Sequence, residues 1–358
     1  MLSYIVRRLL LMIPTLVGIT AVAFFVMAYS PGGVVGPLLN VEGEVDSKAV
    51  RALRDYYNQR YGLDQPRIVQ YLRWMNMVAP IGLTMRADGT FGEFRWIKAP
   101  NLGYSFSRNR PVTDLYKEAL PITILLNLLT LPLVFLVPII AGIYAARYRG
   151  GLFDVSSSVM FLALWSIPTM WAGVMLIGML ANREFMYWFP TGGLSATAAD
   201  QMAFLPQWAG HRFEPGWLLD RIWHLFLPVV CLSYSGLAVL SRLTRGSMLE
   251  NLAADFVRTA RAKGVDDHSV LFTHVLRNSL LPLITVSASI LPGLLAGSVI
   301  VETIFSIPGM GKLTIDAINA RDRELVLAGV LAGGVLGLIC QLARDICYAI
   351  ADPRVSYE

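Results

Sequence analysis

An all-α integral membrane protein with six membrane-spanning helices is the fold this sequence predicts. Three observations predict it. The 358 residues are 55% hydrophobic and only 15% charged, whereas an average soluble domain is about 25% charged. Mean hydropathy is +0.55, above the range of most water-soluble chains. The apolar residues also fall in runs with few or no charges, long enough to cross a hydrocarbon core, which takes about 20 helical residues. The same arithmetic excludes collagen-like, disordered and disulfide-stapled chains.

The first run is Leu9 to Tyr29. A signal sequence has a shorter apolar core of about 7–15 residues, so residues 1–30 read as a short N-terminus and an uncleaved anchor. Ala119 to Ala146 is the second run, and its prolines at 121, 132 and 138 are tolerated where neighbouring helices re-satisfy the backbone. Ser156 to Ala181, Leu225 to Ser241, Ser279 to Val301 and Leu325 to Ile350 complete six. Arg7, Arg8, Arg147, Arg149, Arg242, Arg245, Arg258, Arg261, Lys263, Arg277 and Arg354 then all fall on one face. Positive charge gathers on the cytoplasmic side, so both termini are expected there.

Residues 31–118 form the expected extracytoplasmic insertion between helices 1 and 2, and 119–358 the remaining five-helix core. Within the insertion Ser47 is a candidate N-cap for a helix ending near Gly62. Asp64-Gln65-Pro66 opens another helix, with Ile68, Leu72, Met75 and Ala79 on one stripe. Asp88-Gly89 marks a hairpin between Pro80 and Asn101. A second outer loop, Asn182 to His224, carries Trp188, Trp208, Trp217 and Trp223, a composition that favours interfacial anchoring. Between spans five and six, Ile307-Pro308-Gly309-Met310-Gly311 leads into a short helix near Leu313 to Ala320.

Several chemistries are set aside. Cys231, Cys340 and Cys347 lie in apolar stretches and read as small core residues. His211, His224, His268 and His274 have no metal-ligand spacing, and neither an HExxH nor a nucleophile-elbow pattern occurs. Gly309-Met310-Gly311-Lys312-Leu313-Thr314 lacks the spacing and hydroxyl of a phosphate loop. The pI near 9.1 comes from basic residues flanking apolar runs, not from a nucleic-acid patch. No catalysis, cofactor or metal is expected.

The segment 242–278 is the most specific. Asp255-Phe256-Val257-Arg258-Thr259-Ala260-Arg261-Ala262 reads as a short helix, with Phe256 and Ala260 on one face. Gly264 supplies a left-handed break. A second helix returns through Leu271 with Val275 and Phe272 with Leu276. On charge alone these are ordinary positive-inside residues around a loop. As a shape, the pair is a peg able to dock a cytoplasmic partner and pass its motion to two spans. An ion-coupled secondary transporter is the rival class. Such proteins carry ionisable residues near the midplane, and the first, second, third and fifth runs have none. An anchored structural subunit or a channel is also compatible with the composition, but gives no reason for the peg.

The string Val257 to Gly264, followed by His274, Arg277-Asn278 and Leu281-Pro282, resembles the coupling motif of binding-protein-dependent ABC import permeases. It is similar to the dipeptide, oligopeptide and nickel branch, whose glycine-to-proline spacing is long; here Gly264 and Pro282 are 18 residues apart. Tyr4 to Leu10 with Pro14-Thr15, Pro31-Gly32-Gly33, Arg60 to Pro66, Leu120 to Thr123, Val301 to Phe305 and Ala351-Asp352-Pro353-Arg354 carry the likeness along nearly the whole chain. The N-terminal pattern resembles the B-type permease subunit, and the long 80–101 segment the YejB-like subgroup.

The resemblance implies a permease in the bacterial inner membrane that hydrolyses no ATP itself. Its implied partners are a second, C-type permease, two cytoplasmic ATPase subunits and an external binding protein delivering a peptide-like substrate. It places Asp255, Arg258, Thr259, Ala260, Arg261, Ala262, Lys263 and Gly264 at the ATPase. Glu302, Pro308, Gly309 and Gly311 are candidate outer-gate residues.

Overall fold

The computed structural model describes residues 2–29, 62, 64–86, 91–209 and 212–351. The Ser47 helix, the Asp88-Gly89 turn, His211 and the motifs at 31–33 and 352–354 lie outside these residues. The described residues are mostly helical, and the chain divides into two compact units. One comprises Met1–Ala119 with Leu313–Leu336, the other Leu120–Lys312 with Gly337–Glu358.

The first unit holds α1 (Leu2–Tyr29), α2 (Arg67–Val78), strands β1 (Gly82–Met85) and β2 (Phe91–Arg95), and strands β3 (Tyr104–Ser105) and β4 (Arg110–Pro111). The pair β1–β2 is the expected hairpin, antiparallel with Leu83 opposite Phe94. In α2 the sequence stripe is corrected. Ile68 and Leu72 are 64% and 58% exposed, and Gln70, Tyr71, Trp74, Met77 and Val78 are buried instead. Two aromatic rings bury more apolar area than two aliphatic side chains. They pack with Phe24, Ala28 and Leu327, and the Tyr71 hydroxyl donates to the Val17 carbonyl at 2.9 Å.

The second unit contains most of α3 (Val112–Arg147), α4 (Leu152–Trp165), α5 (Thr169–Leu176) with a π turn at Ile177–Ala181, and strands β5 (Gln207–Ala209) and β6 (Arg212–Glu214). Then come α6 (Gly216–Leu252), α7 (Asp255–Ala262), a turn at Asp267–Ser269, a π segment Val270–Val275, and α8 (Leu276–Ile304). Helix α9 (Met310–Asn319) and α10 (Arg323–Ala351) close the chain and are divided between the units, since Leu313–Leu336 belongs to the first. Among the described residues, α1, α3, α6 and α10 are long and apolar enough to cross a membrane, and α4 with α5 makes a fifth if the bent pair counts as one span.

Two expectations change here. The third run is not straight: α4 and α5 meet at 93°. Pro168 has no N–H to continue the ladder, and the Ile167 carbonyl accepts the Tyr234 hydroxyl at 2.8 Å instead. The fourth run extends in α6 to Leu252, so the first part of 242–278 is helix end rather than loop. Of the four outer-loop tryptophans, two serve local structure. Trp223 stacks on Phe189 with ring centres 4.6 Å apart and donates to the Trp188 carbonyl, and Trp217 stacks on Phe204.

Candidate coupling surface

Helix α7 starts with Asp255 in its first turn and has Arg261 in its last, the order that complements the helix dipole. It ends where Gly264 takes φ +79° and the Val265 N–H reaches back to the Ala260 carbonyl at 3.2 Å. This is a left-handed helix stop of the kind that favours glycine. The next turn is capped by Asp266, whose Oδ2 accepts the Ser269 N–H at 2.9 Å. Hydrogen bonds from the Ser269 hydroxyl and then from its N–H hold the Asp266 carboxyl below the usual carboxylate range.

The helix is anchored by one narrow face. Val257 and Ala260 are buried against Ile143, Ala146, Met248, Val270, Leu271 and Val275. The expected pairing of Phe256 with Ala260 is therefore corrected to Val257 with Ala260, an i, i+3 pair, while Phe256 is exposed. The returning segment keeps its expected pairs: Leu271 and Val275 are buried, and Phe272 and Leu276 pack partly buried on the same cluster.

Seven of the eight predicted coupling residues are brought together on the open side: Asp255, Arg258, Thr259, Arg261, Ala262, Lys263 and Gly264 are exposed. Ala260 points inward. The face is a charge mosaic, not a basic patch. Arg258 lies 3.6 Å from Asp255 and Arg261 3.4 Å from Asp267, and such exposed pairs add little stability. Phe256, which the sequence reading pairs with Ala260, is an aromatic ring left on an otherwise polar surface.

The four candidate gate residues lie elsewhere in the same unit and form a closed hydrogen-bonded turn. Glu302 is fully buried at the end of α8. Its carboxylate accepts the Thr123 hydroxyl at 2.7 Å, the Gly311 N–H at 2.7 Å and the Lys312 N–H at 3.0 Å, with Ser298 hydrogen-bonded one turn back. Thr123 in turn accepts the Met310 N–H at 2.8 Å. Glu302 thus caps α9, satisfying amides that a helix start leaves open. The glycines are steric requirements. A Cβ on Gly309 would collide with the Glu302 carboxylate, and one on Gly311 would stand 2.5 Å from the Val299 Cα. Pro308 lies in the turn joining α8 to α9. Among the described residues no group of three His, Cys, Asp or Glu side chains could hold a metal ion.

Residues 138–357 match the family model described as binding-protein-dependent transport system inner membrane component. Residues 1–127 match the N-terminal model of the same membrane components. Among characterised proteins the chain is similar to the oligopeptide transport system permease protein AppB of Bacillus subtilis, 36% identical over 358 residues and covering all of both chains. It is also similar to the di/tripeptide transport system permease protein DppB of Pseudomonas aeruginosa, 36% identical over the full length of both. The peptidoglycan transport system permease protein YejB of Agrobacterium fabrum is 31% identical, with 99% of this chain and 98% of that protein covered.

Proposed function

The chain belongs to the binding-protein-dependent transport system inner membrane components, and from that premise we propose that it is one of two permease subunits of an ATP-driven peptide importer. Its relatives are named as oligopeptide and dipeptide permeases, which supports a peptide-like cargo delivered by an external binding protein. A second permease completes the pathway, and two ATPase subunits dock on the cytoplasmic side.

In this reading the chain crosses the membrane six times. The spans are α1, α3, the bent pair α4–α5, α6, α8 and α10. Helix α8 has 29 residues and no charge between Asn278 and Val301, which supports counting it. Both termini and the α6–α8 connection are cytoplasmic, and residues 31–118 lie outside.

The observation that carries the reading is the two-sidedness of α7. One face is fixed by Val257 and Ala260 to a cluster built from α3, α6 and the π segment that leads into α8, and the other presents Arg258, Thr259, Arg261 and Lys263 to solvent. A helix so mounted moves only together with the spans beneath it. ATP-dependent closure of the ATPase pair shifts the permease between two states if nucleotide favours one of them. On the opposite face, Glu302 and the Pro308–Gly311 turn fix the outer end of α8. Its carboxylate is fully engaged, which fits a structural cap rather than a proton carrier.

The test is purification of the tagged chain in mild detergent with identification of what stays bound, for the wild type and for Arg258→Glu. Recovery of a second permease and two ATPases with the wild type, and loss of the ATPases with the variant, is expected. An active wild-type chain that retains no ATPase refutes the proposal.

A further inference from the structure

The C-terminal turns of α6 are a junction. Thr244 touches α3 where Gly142 leaves room, since a Cβ there would stand 2.6 Å from the Thr244 Cβ. Met248 is buried in the cluster that seats α7. Asn251 Nδ2 donates to the Ser279 hydroxyl of α8 at 3.1 Å. Arg245 completes the set toward α4, with its Nε donating to Asp154 Oδ1 at 2.6 Å and a terminal nitrogen to Oδ2 at 2.7 Å. This is a bidentate pair, the strongest geometry available to a carboxylate and a guanidinium. Asp154 is buried, and its Oδ2 also accepts the Gly150 N–H at 2.9 Å, which fixes the turn before α4.

The far end of α4 is tied to the same helix by the Tyr234 hydroxyl on the Ile167 carbonyl. Asp154 and Ile167 are 13 residues apart, so the two ties are separated by about 20 Å along α4. Beyond the second tie the chain bends by 93° at Pro168. Helix α5 keeps a contact with α6, where the Cys231 thiol donates to the Thr169 carbonyl at 3.5 Å, and adds a second partner, with Gly173 close enough to α8 that a Cβ would meet Ile304 at 3.3 Å.

We infer that Asp154 and Arg245 are a positioning pair that makes α4 travel as one body with α6, so that displacement of the coupling helix reaches the break at Pro168. This rests on the proposed ATP-driven transport. The pair acts through α6 and touches neither cargo nor nucleotide. Helix α4 is a strut fixed at both ends, and relative movement between α4 and α5 is taken up at Ser166–Pro168.

The complete transporter in proteoliposomes, supplied with a fluorescent tripeptide and its binding protein, tests this by measuring uptake and ATP hydrolysis together. Asp154→Asn and Arg245→Lys are expected to assemble and to hydrolyse ATP, while uptake per ATP falls about tenfold, inside the 5–150-fold span of ordinary coupling energies. A chain carrying Asp154→Cys with Arg245→Cys should be equally poor, and joining the two thiols with a short bifunctional thiosulfonate should restore uptake, measured against the chain with native cysteines alone. Wild-type uptake per ATP in Asp154→Asn overturns the inference, as does a bridged pair that stays inactive, since the two helices would then have to separate. A wild-type chain that imports without any ATPase overturns the transport reading and this inference together.

Discussion

Replacing Glu302 by Gln is the sharpest test of the cap on α9, because it changes charge and acceptor number while keeping volume. In the wild type two backbone amides, Gly311 and Lys312, share Glu302 Oε2 at 2.7 and 3.0 Å, and the Thr123 hydroxyl donates to Oε1. Hydrogen bonds to a charged group contribute about 1.5–3 kcal/mol each, against about 0.5–1.5 for neutral ones. Glu302 is fully buried, so solvent screening does not discount these values. If Gln turns its oxygen to the two amides, each bond drops by about 1 kcal/mol, and its amino group faces Thr123, which already accepts the Met310 N–H. The sum is about 2–3 kcal/mol of local protection.

Hydrogen exchange followed by mass spectrometry on the detergent-purified complex reads this directly. With one decade per 1.4 kcal/mol, peptides covering 309–313 should exchange about 30- to 150-fold faster in Glu302→Gln, with no change in peptides covering 255–262. Exchange within twofold of wild type over 309–313 would refute the assignment of Glu302 as the cap, and with it the reason given for the glycines at 309 and 311.

The coupling segment yields three further expectations. Gly264→Val should strain a left-handed residue by about 1–2 kcal/mol, yet nothing lies within 4 Å of the added Cβ, so ATPases should co-purify while ATP-driven uptake is lost; normal uptake refutes the role of the break. Val257→Ala should loosen the seat of α7 by about 2 kcal/mol through two lost methyl groups and their cavity, read as faster exchange over 255–262, whereas Arg258→Ala should leave exchange unchanged and weaken ATPase retention. Asp266 has its carboxyl held low by the Ser269 hydrogen bonds, so the support it gives is complete above the ordinary carboxylate value of about 3.9 and is lost as pH falls through the lowered one. After correction for intrinsic rates, protection of the Ser269 amide should be flat from pH 5 to 8 and fall only at more acid pH, and Asp266→Asn should abolish that acid transition.

What was legible in the sequence was what repeats or costs much. Uncharged runs in α1, α3 and α10 could be read because lipid permits few alternatives to a helix. The stop at Gly264 was visible because a left-handed residue nearly demands glycine. Phase within a short amphipathic helix was less secure. In α7 the anchor is Val257 rather than Phe256, and in α2 it is Tyr71 and Trp74 rather than Ile68 and Leu72. Both segments carry apolar residues on more than one face, so only the neighbours decide which face is covered. The break at Pro168 was hidden for a related reason. Three prolines in α3 leave that helix continuous, and the difference at Pro168 is a Tyr234 hydroxyl from a distant helix that accommodates the freed carbonyl. Asp154 gave no sign at all, since its partner Arg245 is 91 residues away.

Two buried carboxylates of the second unit, Asp154 and Glu302, are placed alike. Asp154 sits in the first turn of α4 and takes the Gly150 amide, and Glu302 takes the first amides of α9. Both of these carboxylates therefore stand at a helix start, where unsatisfied N–H groups and the positive end of the dipole stabilise an anion. Each is then completed by a single side chain from another helix, Arg245 in one case and Thr123 in the other. In a medium without water to solvate loose ends, a carboxylate at such a point both closes the backbone and ties two helices. Glu302 thereby fixes the start of α9 at the α8–α9 turn, and Asp154 fixes the start of α4, at the end of that helix away from its bend with α5. Such caps keep these two helices from fraying at their starts. A permease driven from one face needs that, since a helix that frayed at its tip would dissipate the displacement proposed to enter at α7.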